Sequence, residues 1–166
     1  MIAPSRAPDD RALHALWRYA QDGGVVLVAA SSPDAAEVAP LLQRAGLALE
    51  PLPLGNFPPA RGDDPDQTQP RLLDAWPIIA VPAADPAVGA FEPLLTQGGH
   101  TPIGWRPIGA GGLLLIGDTR FFAAQNMEDD AWVWEGNAVL FYHLAKRFLK
   151  VDPDVIATVF ASPPKS

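Results

Sequence analysis

Apolar residues at Leu13, Leu16, Trp17 and Ala20 recur at i, i+3, i+4 and i+7, the spacing of one buried helix face. Asp9 or Asp10 is placed to cap this helix, and Asp22-Gly23-Gly24 stops it, glycine tolerating the left-handed conformation at a helix end. The rhythm then changes. Val25 to Ala30 is wholly apolar and rich in β-branched residues, the pattern of a strand covered on both faces. Ser31-Ser32-Pro33-Asp34 reads as a turn and helix start, with Pro33 suited to the first helical position. Val38, Leu41, Leu42 and Ala45 form the next helix face, and Gly46 ends it. Helix, strand and helix in succession over 10–46 predict parallel α/β winding.

The middle of the chain is less regular. Leu47 to Leu54 extends towards a polar, Pro-rich loop, NFPPARGDDPDQTQP, and Trp76 to Val81 is a candidate strand. Residues 82–93 hold no clean period, with Gly89, Ala90 and Phe91 as a short edge strand. Thr101 to Ile108 alternates imperfectly through Ile103, Trp105 and Ile108, and Pro102 and Pro107 confine it to a sheet edge. Gly109 to Gly112 is a turn. Leu113 to Ile116 then runs into Gly117, Asp118 and Thr119, as a buried parallel strand does at its carboxyl end, and in open α/β sheets that end is where ligands bind. A polar loop carries Asn126 and four acids. Asn137 opens a last helix and can cap it, with Phe141, Leu144, Ala145 and Phe148 as its buried stripe and Lys146, Arg147 and Lys150 at its C-terminal end. Residues 2–8 look like the tail of an extended segment closed by Pro4 and Pro8, and 151–166 like a tail packing through Val155, Ile156 and Phe160. There is no internal repeat. The pattern predicts a single α/β domain over 1–150 followed by the tail.

Composition narrows the functional classes. The 166 residues include 19 prolines, clustered between the periodic segments, which predicts long, stiff loops. A net charge of −7, a pI near 4.7 and scattered basic residues argue against nucleic acid as a partner, since phosphate backbones need a basic face. The absence of cysteine excludes disulfides, cysteine zinc sites and a cysteine nucleophile. No apolar run reaches the roughly 18 residues of a membrane span, and MIAPSRAPDD lacks the apolar core of a signal peptide. The expectation is a soluble protein, cytoplasmic or the soluble portion of a membrane-associated one, with its oligomeric state open.

Candidate chemistry gathers at the two strand ends. If the strands are neighbours, Ser31, Ser32, Asp118, Thr119, Asn126 and Asn137 line one polar crevice. Each of these is also a standard turn or cap former, and that structural reading is the stronger one. A serine hydrolase would use Ser31 with His100 and Asp118, but the Gly-x-Ser-x-Gly elbow is absent, and His14 and His143 lie in helices. Glu128, Asp129, Asp130 and Glu135 match no calcium loop, which leaves a solvated acidic loop and no metal. Gly109 to Gly112 precedes a strand, whereas phosphate-binding loops follow one, so no cofactor is predicted. Trp132 and Trp134 are lid or core residues, or a platform for a sugar or a partner side chain.

IAPSRAPDDRALHALWRYAQDGGVVLVAA resembles the strand, Pro-Ser, acidic helix start, Gly-Gly and strand of class I glutamine amidotransferase-like domains. GGLLLIGDTRFFAAQN followed by GNAVLFYHLAKRFL resembles their C-terminal part. The two blocks cover about residues 2–46 and 111–149, and the nearest resemblance is to the non-catalytic branch, the uncharacterised bacterial membrane-associated and gliding-motility-type domains. The resemblance implies a three-layer α/β sandwich with a mostly parallel, flavodoxin-like sheet. It also implies a strand and helix ahead of Ile2; the chain either lost them, was cut from a longer protein, or begins at a natural start. Ser31 falls near the place of the amidotransferase cysteine, and the expected histidine–glutamate pair is missing, so glutaminase chemistry is not expected. The expectation is a non-enzymatic accessory domain of a membrane-associated or transport system, binding a partner protein or a small polar ligand. The alternatives are a serine hydrolase with a degenerate elbow and a carbohydrate-binding module.

Overall fold

The computed structural model describes residues 8–32, 35–57, 70–123, 128–129, 132–133 and 135–149. The elements are α1 (Asp10–Gln21), β1 (Val25–Ala29), α2 (Ala35–Arg44), β2 (Leu47–Leu49), β3 (Gly55–Phe57), β4 (Leu72–Ala75), β5 (Ile78–Ala80), β6 (Glu92–Gln97), β7 (His100–Ile108), β8 (Gly111–Ile116), β9 (Glu128–Asp129), β10 (Trp132–Val133) and α3 (Glu135–Leu144), which continues as a π-helical turn, Ala145–Leu149. The readings of residues 2–7 as an extended tail, of Asn126, Asp130 and Trp134, and of the tail 151–166 fall outside the described residues.

The main sheet has the order β1-β8-β7-β6. β1 and β8 pair in parallel from Val25↔Gly112 to Ala29↔Ile116, while β8 with β7 and β7 with β6 are antiparallel. The sheet is therefore mixed, and the expectation of a mostly parallel one is corrected. Its cause is local. β7 and β8 are joined by the two-residue turn Gly109-Ala110, and β6 and β7 by Gly98-Gly99, both glycines at positive φ. Two-residue loops can join only antiparallel neighbours.

A second correction concerns β7, which is an interior strand despite its prolines. Pro107 lies beyond the start of β6, where Gly89 N–H donates to its carbonyl at 2.9 Å. Pro102 accepts from Gly117 N–H at 2.8 Å but has no N–H to return; the Gly117 carbonyl takes Trp76 N–H instead, at 2.6 Å. Each missing proline donor thus falls where another amide or a strand end substitutes for it.

Both faces of the sheet are covered. Val26 and Val28 on β1 and Leu113 and Leu115 on β8 face Trp17 and Ala20 of α1, Val38, Leu41 and Leu42 of α2, Leu47 and Ile78. Leu27, Leu114 and Ile116 face the other way, with Ile103, onto Leu72, Ala75, Phe121 and Leu144. α1 begins as its sequence predicts, Asp9 accepting Ala12 N–H at 2.8 Å. Its C-terminus rests on the β7–β8 turn so closely that a Cβ at Gly111 would lie 2.6 Å from the Ala20 carbonyl oxygen. α3 docks by its last turns: Phe148 stacks on Trp105 at 4.4 Å, and Arg147 holds Glu92 through both carboxylate oxygens at 2.7 and 2.8 Å.

Arg106 joins three of these parts. It is 6% exposed, and its Nε and Nη2 donate to the carbonyls of Ala45 (2.9 Å) and Val81 (3.0 Å). Burial lowers its pKa from the usual arginine value, yet a guanidinium stays protonated at neutral pH. The Ala45 carbonyl lies just past α2, at the negative end of the helix dipole, which offsets part of the desolvation cost. Replacing Arg106 by Ala strands both carbonyls and empties the space the side chain fills. The expected loss is roughly 2–4 kcal/mol in urea unfolding, with Arg106→Lys losing less. An Ala variant as stable as the parent would show that this tie is idle.

Candidate functional site

The adjacency of β1 and β8 puts Ser31 and Asp118 side by side. Their ladder runs on past the strands through Ala30 N–H to the Ile116 carbonyl at 3.0 Å, and the two residues leave the sheet together at its carboxyl end. Both are buried, Ser31 at 4% exposed and Asp118 at 0%. Ser32 and Thr119 flank them, half-buried; the Ser32 carbonyl accepts Ala35 N–H at 3.1 Å, where α2 starts.

Asp118 is held by backbone amides of the described residues. Oδ1 accepts Arg120 N–H at 2.8 Å and so closes the local turn. Oδ2 accepts Leu73 N–H at 2.7 Å and Asp74 N–H at 3.2 Å, reaching across to β4. Arg120 reinforces the contact, with Nη2 3.2 Å from the Leu73 carbonyl and 3.9 Å from Asp74. Hydrogen bonds to an ionised carboxylate are about twice as strong as neutral ones.

Asn137 acts on the same segment. It is the third residue of α3 and does not open the helix: its Oδ1 accepts Arg71 N–H at 2.6 Å while its Nδ2 donates to the Arg71 carbonyl at 2.9 Å. The carboxamide thus meets both polar groups of Arg71 as a neighbouring strand would. The capping role assigned from sequence is corrected to a long-range one, because Glu135 and Gly136 already supply the first helical positions.

Asp118 and Asn137 together hold Arg71 to Asp74. β4 then lies on one face of the sheet and β5 on the other, and Trp76-Pro77 crosses the carboxyl end of β8 between them. At this crossing a Cβ on Gly117 would sit 2.0 Å from the Trp76 carbonyl oxygen, so glycine is required there. β4 and this crossing are absent from the sequence reading. Leu72 and Leu73 form too short an apolar run, next to a Pro-rich loop, to carry a period.

His100 is not brought into the group. It opens β7, and its Nδ1 lies 3.6 Å from Glu50 Oε1, just past β2 on the α1–α2 face. Asp118 reaches β4 on the opposite face, and β7 stands two strand spacings from β1, roughly 9.5 Å. A general base has to come within about 3 Å of its hydroxyl, or one water away. Among the described residues no group of three or more histidines or acids is placed to hold a metal ion. No described helix is long and apolar enough to cross a membrane.

Comparison with protein-family models, with curated proteins and with solved structures gave no significant match. The chain's own geometry therefore carries the functional reading.

Because Asp118 and Asn137 grip one segment, their effects on stability are coupled. Asp118→Ala is expected to cost roughly 2–4 kcal/mol and Asn137→Ala roughly 1–3 kcal/mol. A double-mutant cycle should show a coupling of about 0.5 kcal/mol or more. Strict additivity would show two independent ties.

Proposed function

We propose that this chain is a non-enzymatic domain on an amidotransferase-like, three-layer α/β plan, and that it binds a partner protein or a small polar ligand at the carboxyl ends of β1 and β8. The parallel β1–β8 pair and the two covered sheet faces support the plan, with β7 and β6 as an antiparallel extension. The observation that carries the reading is the state of Asp118. Both its oxygens are bound to backbone amides of this chain, so the acid that leaves the sheet beside Ser31 holds the fold together, and its described contacts include no histidine. A triad acid does the opposite: it binds the imidazole and fixes its tautomer.

What remains at the rim is Ser32 and Thr119, half-buried hydroxyl side chains that flank the buried Ser31 next to the start of α2. Such a surface suits recognition by hydrogen bonding. The two blocks that resemble the non-catalytic amidotransferase-like branch extend the proposal to an accessory role in a membrane-associated or transport system.

The test is a turnover assay with p-nitrophenyl acetate and with L-glutamine, run on the parent chain and on Ser31→Ala. Both proteins should give rates indistinguishable from buffer. Hydrolysis by the parent that disappears in Ser31→Ala would overturn the non-enzymatic reading in favour of a serine hydrolase.

A further inference from the structure

Arg106 carries more donors than the fold uses. A guanidinium has five N–H groups. Nε gives one to the Ala45 carbonyl and Nη2 one to the Val81 carbonyl, at 2.9 and 3.0 Å. Arg106 makes no other hydrogen bond and no ion pair, so three N–H groups, two on Nη1 and one on Nη2, are unused. Nη1 is not sealed in: it keeps contact with solvent, although the residue as a whole is only 6% exposed. The charge is uncompensated as well. Asp85, on the loop that follows Val81, is taken up by Arg44 at 3.6 Å and by the Ala87 N–H at 3.0 Å, and Glu50 faces His100. The two carbonyls offer partial charges only. A buried cation in this state gains from any anion that reaches its free end.

We propose that the free end of Arg106 is a carboxylate-binding site, and that its ligand is a small aliphatic monocarboxylate. The Ala45 and Val81 carbonyls hold the guanidinium plane still. Its unused Nη1 and Nη2 hydrogens then form a pre-oriented fork, the geometry that meets both oxygens of a carboxylate. The site is separate from the rim at Ser32 and Thr119. Arg106 pairs with Leu113, and from there to Asp118 is roughly 16 Å of extended chain.

Charge and surroundings select the ligand. The nearest second guanidinium, Arg44, is engaged with Asp85 and with the face of Trp17, so a single positive charge is on offer and a single negative charge matches it. A dianion such as phosphate would also meet the repulsion of a chain with net charge −7. Val81, whose carbonyl clamps Nη2, is 45% exposed, and Ile79, two residues before it, is 39% exposed. These apolar side chains stand next to the fork and give a short alkyl chain a surface to cover.

Titration of the full chain with sodium butyrate, followed by the guanidinium resonances of Arg106 in nuclear magnetic resonance spectra, tests this. At constant ionic strength butyrate should shift the Nη1 and Nη2 signals saturably. Butyramide, of the same size but uncharged, should leave them in place, and acetate, with less alkyl chain, should bind more weakly than butyrate. Arg106→Lys keeps the charge and loses the fork, so it should weaken butyrate binding at least about tenfold by calorimetry. Guanidinium signals that ignore butyrate, or answer butyramide equally, would overturn the proposal. Undiminished affinity in Arg106→Lys would overturn it too, as would acetate binding as tightly as butyrate or inorganic phosphate binding more tightly. Should Arg106→Lys fail to fold, Val81→Glu decides the matter. A carboxylate tethered beside the fork should abolish butyrate binding, and undiminished binding rejects the site.

Discussion

One buried carboxylate determines how the two halves of the molecule meet. Asp118 stands at the end of the most buried strand and draws three backbone amides to itself, one from its own turn and two from β4, some 45 residues away in sequence. A carboxylate in such a place would carry a heavy desolvation cost if it were unpaired. Its pairing fixes where Leu73 and Asp74 sit, and with them Leu72 and Ala75, the cover of the second core. Asn137 brings α3 to the same segment through Arg71. The strand end, the cover and the last helix are thus held at one point.

That arrangement explains what happens to the carboxyl end of the sheet. In an open parallel sheet this end is a crevice formed by diverging loops. Here Trp76-Pro77 passes over β8, and its amide satisfies the Gly117 carbonyl that Pro102 cannot serve. Two of the polar side chains that would be candidates for chemistry, Asp118 and Asn137, are in use as architecture. The half-buried hydroxyls of Ser32 and Thr119 flank this point, and the proposed reading of binding over catalysis rests on the use of Asp118 as architecture.

The local pattern made much of this legible. The α1 face, its Asp9 cap, the apolar runs of β1 and β8 and the α2 face all follow from spacing, because burial of one face leaves a periodic record in neighbouring residues. β4 left no such record: a four-residue strand beside a Pro-rich loop is too short for a period. The prolines of β7 were misleading for a related reason. A proline excludes a central strand only where a partner carbonyl waits for its N–H, and which carbonyls wait is a property of the register.

The sequence alone determined the helices, the two apolar strands, the acidic surface and the absence of cysteine chemistry, all set by interactions among near neighbours or by composition. Tertiary structure decided that the sheet is mixed, that Asn137 binds Arg71 instead of capping its helix, that His100 turns to Glu50, and that Asp118 serves β4. These depend on groups brought together from distant parts of the chain. A turn-forming or cap-forming residue is compatible with several partners, and only the packed fold selects one.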